Sequence, residues 1–219
     1  MPSLLSVNVS VPRPDPGGDV GTTGIDRRPV DHPVHVRAPG PKLGGLGSGL
    51  VGDEIFSRRH HGGDDQAVYA YAREDLDWWE AELGHPLPSG VFGENATTRG
   101  LDVTGALIGE RWAIGDEVLL EIADVRIPCS TFARWIEEEH WVKRFTVAAR
   151  PGAYLRVITP GEIRGGDPVT VVSRPDHDVT VGVVFRALTR EPELLPRLLD
   201  VPQLAQSTRD HAARRVHAT

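Results

Sequence analysis

The chemistry open to this chain turns on one thiol. Cys129 is the only cysteine in 219 residues. A lone cysteine makes no internal disulfide and builds no multi-thiolate zinc or iron–sulfur cage. It can be a small buried hydrophobe, or it can act singly as a thiolate. It stands in VRIPCSTF. Pro128 lacks an amide donor and should end the strand before it. Ser130 and Thr131 read as a helix start, which would place the thiol near unpaired helix amides that favour thiolate.

Three other segments carry polar groups of useful type. In HHGGDDQAVYAY, from His60, two glycines let the backbone approach a ligand and turn its amides toward it, with His61 beside them. On composition alone, a tight turn with a structural histidine is the plainer reading of the same letters. In VFGENATTRGLD, the Asn95 amide could offer both donor and acceptor to a heterocycle, or Gly93, Glu94 and Asn95 could form an ordinary β-turn. Arg27 and Arg28 in TGIDRRPV, and Arg58 and Arg59 before the histidines, suit phosphate recognition or simple solvation.

These groups need a scaffold. Glycine (24) and proline (18) are frequent enough to mean many turns. SLLSVNVSV, HPVHVRA, ERWAIGDEVLLEIADVRI, AYLRVI and DPVTVVSR read as strands. No regular strand–helix alternation accompanies them, which points to a closed barrel or a sandwich. Helical spacing predicts one helix over about Arg73–Glu82 and a second over about Ser130–Phe145. After residue 178 the pattern changes. Three short helices are expected at about Val181–Thr189, Glu193–Leu199 and Gln203–Arg215, in a tail too small to bury a core alone.

Composition narrows the classes further. The formal net charge is -7, which disfavours general nucleic-acid binding. Lys42 and Lys143 are the only lysines, so Schiff-base chemistry has two candidates. No apolar run reaches the roughly 18 residues of a membrane helix. The first residues, MPSLLSVNVSVPRPD, lack the pattern of a secretory signal. A cytoplasmic protein is the default expectation.

Read in order, TGIDRRPV, GLVGDE, HHGGDDQAVYAY, DWW, FGEN, RIPC and PGAYLRVITPG resemble the MOSC family, named for the C-terminal domain of molybdenum cofactor sulfurases. The similarity is to its stand-alone bacterial YiiM-like type, and it runs from about Thr23 to Ser173. The tail from Val179 resembles the three-helix domain that often follows. The resemblance implies a mainly β fold: a closed, pyruvate-kinase-barrel-like MOSC barrel over 1–178, with short helices, and a three-helix tail over 179–219. It implies that Cys129 ligates molybdenum in a molybdopterin cofactor. It implies that His61, Gly62, Gly63, Gly93, Glu94 and Asn95 border the cofactor, with Arg27 at the position of a signature lysine; Arg59, in the cationic run against the glycine pair, is a further expected contact. The family signature carries lysine where this chain has Arg27, and the charge is kept.

The expected activity is reduction of N-hydroxylated compounds, such as hydroxylaminopurine-like base analogues or amidoximes. Electrons would come from a flavin or haem donor protein. Cys129 would hold the metal, and His61 or Asp64 would manage the proton. No nucleic-acid or membrane partner is expected. Two other readings share the same residues. One is a persulfide carrier on Cys129, and the other is a non-catalytic ligand-binding or interaction module.

Overall fold

The computed structural model describes residues 1–218. Short apolar runs bounded by turn residues form twelve strands among them. The first five are β1 (Ser3–Ser10), β2 (Arg13–Asp15), β3 (Gly21–Thr23), β4 (Arg27–Val30) and β5 (Val34–Val36). After a long glycine-rich loop come β6 (Val68–Ala72), α1 (Arg73–Leu83), β7 (Ala96–Arg99), β8 (Arg111–Ile114) and β9 (Val118–Val125). Then follow α2 (Ser130–Ile136), α3 (Trp141–Ala148), β10 (Ala153–Thr159), β11 (Gly161–Ile163) and β12 (Val169–Ser173). The chain finishes with α4 (Val181–Thr189), α5 (Leu195–Leu199) and α6 (Gln206–His217).

The closed barrel expected from the sequence does not form. Eight strands make one open mixed sheet in the order β12-β8-β9-β10-β6-β7-β1-β4. All neighbours are antiparallel except β6 and β7. Two ribbons, β2–β3 and β5–β11, stand apart from it. β1, next to one end of the sheet, meets the segment entering β12 at a bridge between Ser3 and Pro168, with the Leu4 amide donating to the Asp167 carbonyl, the Gly166 amide to the Leu4 carbonyl and the Val169 amide to the Pro2 carbonyl, but β1 and β12 share no ladder.

The helix expected over Ser130–Phe145 is two helices. Glu137 and His140 take positive φ values of 60° and 55° and break it. The break has a packing cause. Nine positions along one helix would set Phe132 and Trp141 about 180° apart. With the break, both enter one cluster, their ring centroids 5.4 Å apart, together with Trp79, Phe92 and Phe145. This aromatic layer, with α1 behind it, supports the segment that carries Cys129.

The tail follows its periodicity with local changes. α4 spans the expected residues, and the Thr180 side chain caps it by accepting from the Val183 amide. Ahead of α5, Pro192–Leu194 forms a tight 3-10 turn. α6 starts three residues later than expected, because the Ala205 amide bonds the Ala123 carbonyl of β9 at 2.9 Å. Val181, Val184 and Phe185 are fully buried, and Phe185 meets Phe145 at 6.1 Å. Among the described residues no helix is long and apolar enough to cross a membrane.

Candidate functional site

β9 delivers the site. Its last residue is Val125, and Arg126 follows it toward a cavity of about 400 Å³. The strand ends three residues before Pro128, where the sequence placed its end, and Cys129 caps the start of α2, with extended backbone and no side-chain cap bond. Cys129 is partly exposed and lines the cavity. Tyr69 of β6 and Tyr154 of β10 face the same space, their rings 5.0 Å apart. The β2–β3 hairpin forms the outer rim. Arg134 of α2 latches it, donating to both oxygens of Asp15 at 2.8 Å.

Arg126 is the least usual group here. It is 7% exposed and has no carboxylate partner among the described residues. Its guanidinium stacks over Phe132 at 4.0 Å and over Tyr69 at 5.0 Å, and donates to the Phe92 carbonyl. Burial works against its charge, but Tyr69, Tyr154 and Cys129 hold its pKa above the ordinary value. A buried cation without an anion is costly unless something compensates it.

Arg27 is handled differently. It donates to Asp53 Oδ1 and Oδ2 at 2.9 and 2.8 Å, and to the Gly93 carbonyl. Asp53 also accepts from the Ser10 amide at 2.9 Å and from Asn95 Nδ2 at 3.1 Å. This buried fork-on-fork pair is a strong, oriented contact. It leaves Arg27 with two unused N–H groups at the cavity wall.

His61 is held neutral. Burial lowers its pKa to about 4, and the charges of Arg126, Lys42, His60 and Arg27 add to the effect. Its ring nitrogens have no hydrogen-bond partner among the described residues. Gly62 beside it has φ 86°, and a Cβ there would lie 2.8 Å from the Gly47 carbonyl oxygen, so only glycine fits. Gly93 is similar: its φ is 73°, and a Cβ would crowd Ile25 at 3.1 Å and Arg126 at 3.4 Å.

The cavity thus gathers Cys129, His61, Gly62, Arg27, Gly93 and Asn95 of the residues expected from the sequence. Asn95 is spent internally. Its oxygen accepts from the Tyr69 amide, and its nitrogen donates to Asp53 and to the Asn8 carbonyl. Arg59, Gly63, Asp64 and Glu94 do not line the cavity. Arg59 is exposed. The Gly63 amide bonds the Gly47 carbonyl. Asp64 points to the Gly40 amide at 2.8 Å and braces the glycine-rich loop. Glu94 is fully buried and accepts from Gly90, Phe92 and Thr97, fixing its own turn.

Sequence reading passed over Asp53, Tyr69, Arg126 and Tyr154 as site residues. All four lie inside segments already singled out, namely GLVGDE, HHGGDDQAVYAY, RIPC and PGAYLRVITPG. Their polar type was visible there, but their convergence needed the fold.

No three His, Cys, Asp or Glu side chains converge to hold a metal ion among the described residues. Cys129 is therefore the one soft ligand that this cavity offers a metal. The surrounding cations favour an anion.

Comparison with known proteins identifies the family. The family model for the MOSC domain matches residues 57–170. YflK of Bacillus subtilis is 28% identical over 211 residues, covering 94% of this chain and 91% of that protein. A protein named "Reductase" from Gibberella moniliformis is 31% identical over 192 residues, covering 86% of this chain but only 32% of its own length. The crystal structure of YiiM from Geobacillus stearothermophilus superposes with a TM-score of 0.77 at 26% identity, covering 98% of this chain and 99% of that one. With the family model spanning half of the chain, and the YiiM fold nearly all of it, this chain belongs to the MOSC domain family, in its YiiM-like type.

Proposed function

We propose that the Cys129 cavity binds a molybdenum–pterin cofactor and reduces N-hydroxylated compounds. The observation that carries this reading is Arg126, a buried cation without a carboxylate, lining the same cavity as the lone thiol. An anionic ligand that also prefers a thiolate would satisfy both groups at once. The donor set fits. One protein thiol suffices for a metal that brings its own sulfur ligands, whereas a bare ion would need three or four side chains. Membership of the MOSC family and similarity to a reductase support the same direction.

Cys129 would be the protein ligand. Arg126 and the free N–H groups of Arg27 would hold the anionic part. When bound, such a cofactor would supply the two-electron redox chemistry that the protein side chains lack. Overall, two electrons and two protons convert N–OH to N–H and water, with the electrons coming from a separate flavin or haem protein.

The chain's own residues manage protons and orientation. His61 is neutral at pH 7, so one ring nitrogen can accept a proton while the other donates. Tyr154 stays protonated, because burial raises its pKa although Arg126 and Arg27 pull it back. Its hydroxyl has no hydrogen-bond partner among the described residues, so it can donate to a bound oxygen or nitrogen. Tyr69 cannot do so, because its hydroxyl is committed to the Pro151 carbonyl at 2.7 Å.

The test is turnover of benzamidoxime to benzamidine by protein from a cofactor-competent host, with a reduced viologen as electron source. We expect the wild type to turn over and Cys129→Ala to lose at least about a hundredfold. Equal rates in both proteins would end the proposal.

A further inference from the structure

Behind His60, His61, Gln66 and Tyr154 lies a second cavity of about 370 Å³. β9 and β10 form its floor. Asp124 and Tyr154 are directly paired across these strands, so their side chains leave the sheet on one face. The tail closes the other side, with Leu188 from α4 and Thr208 and His211 from α6. Asp124 is 5% exposed. The Thr208 hydroxyl lies 3.0 Å from each of its oxygens. No arginine or lysine lines this cavity, and no cation pairs with Asp124 among the described residues.

A carboxylate has about four acceptor positions. Thr208 and the Val125 amide occupy two of them. The rest are open toward a space that Val125, Ile127 and Leu188 line with apolar surface, beside the neutral polar groups of Gln66, Tyr154 and Ser207 and the three imidazoles of His60, His61 and His211. A buried carboxylate without a cation is as costly as the converse in the first cavity. The two cavities therefore have opposite preferences, and they share one wall.

We propose that this second cavity binds a planar, N–H-bearing cation of the amidinium class, with Asp124 pairing to its N–C–N edge. The geometry is that of an arginine fork on a carboxylate. The apolar surfaces would receive the aryl or alkyl remainder. This deepens the reading of the thiol cavity and rests on it in one respect. An amidinium is what an amidoxime becomes on losing its oxygen, so the bound cation would be the product. The binding itself does not depend on a cofactor.

The surrounding groups set a pH dependence. Burial raises the Asp124 pKa to about 6, opposed by bonds from Val125 and Thr208, with Asp65 adding to the rise and Lys42 opposing it. His60, His61, His211 and Tyr154 face the same space. The carboxylate is thus charged at neutral pH and loses its charge below about 6.

The experiment is calorimetric titration of the full chain, without added cofactor, with benzamidine and with its neutral isostere benzamide. Benzamidine should bind saturably and at least about tenfold more tightly than benzamide. Its affinity should fall about tenfold from pH 7.5 to pH 5. Asp124→Asn should remove the preference, and Cys129→Ser should keep it. Equal affinity for the two compounds, no saturable binding, or an unchanged preference in Asp124→Asn would each overturn the proposal. The wild-type comparison and its pH profile decide the matter even if Asp124→Asn fails to fold. Absence of molybdenum would defeat the cofactor reading and leave this one standing, so the two failures are distinguishable.

Discussion

His61 gives the most quantitative prediction. In the folded protein its pKa falls to about 4, first through burial and then through Arg126, Lys42, His60 and Arg27. In the unfolded chain it returns to about 6.5. The unfolded state therefore binds the extra proton more readily between these values. The resulting stability is fully present above about pH 6.5 and is lost as pH falls through 4. At about 1.4 kcal/mol per pKa unit, the full loss is about 3 kcal/mol. His61 is only part-buried, so solvent screening makes this an upper value. The perturbation is His61→Gln, which cannot titrate. The assay is urea denaturation at intervals from about pH 4 to 7.5, comparing midpoints at constant slope. The variant should show a flatter acid limb than the wild type, with the difference concentrated between about pH 6.5 and 4. Removing one of the named charges should act in the same sense. In Arg126→Met, the His61 pKa followed by NMR should rise, though not to 6.5, because burial remains the larger cause. Parallel acid limbs in wild type and His61→Gln would refute the electrostatic account of the cavity.

Other predictions follow from the same charges. Arg126→Met should change stability by less than about 2 kcal/mol, because relief of desolvation offsets two cation–π contacts and a hydrogen bond, and a thermal melt checks this. The same variant should retain far less cofactor. Asp53→Asn should destabilise by about 3–5 kcal/mol, because it leaves Arg27 buried and unpaired, and denaturant unfolding would show it. Asp124 carries the opposite pH signature to His61. Its pKa is raised to about 6, so its favourable contribution is complete below about 3.8 and is lost as pH rises through 6. Asp124→Asn should therefore be up to about 3 kcal/mol more stable than the wild type near pH 7.5, and the two should converge near pH 4.

The sequence showed its strands where alternation and turn residues were clear. β1, β5, β8, β9, β10 and β12 all fall in runs read from pattern alone. β6 was hidden because VYAYA is buried on both faces and carries no period of two. The barrel failed for a reason that pattern does not encode, since strand count does not say whether the last ladder closes. The single helix over Ser130–Phe145 failed because the aromatic cluster required both Phe132 and Trp141. Cys129, His61 and Arg27 were legible as reactive types. Asn95 was legible as a turn residue, but nothing in FGEN says that its amide is consumed by Tyr69, Asp53 and Asn8. The missing anion at Arg126, and the missing cation at Asp124, belong to no local pattern. They are properties of what the fold brings near, and what it leaves out.

The central claim is that one thiol and one unpaired buried cation together hold an anionic, thiolate-bound metal cofactor. The direct measurement is molybdenum and pterin content, assayed together, in protein purified anaerobically from a cofactor-competent host. Wild type, Cys129→Ala and Arg126→Met would be compared at equal folded concentration. The account predicts stoichiometric molybdenum and pterin in the wild type, none above background in Cys129→Ala, and a strong reduction in Arg126→Met. Wild-type protein without molybdenum, or Cys129→Ala retaining as much as the wild type, would contradict it.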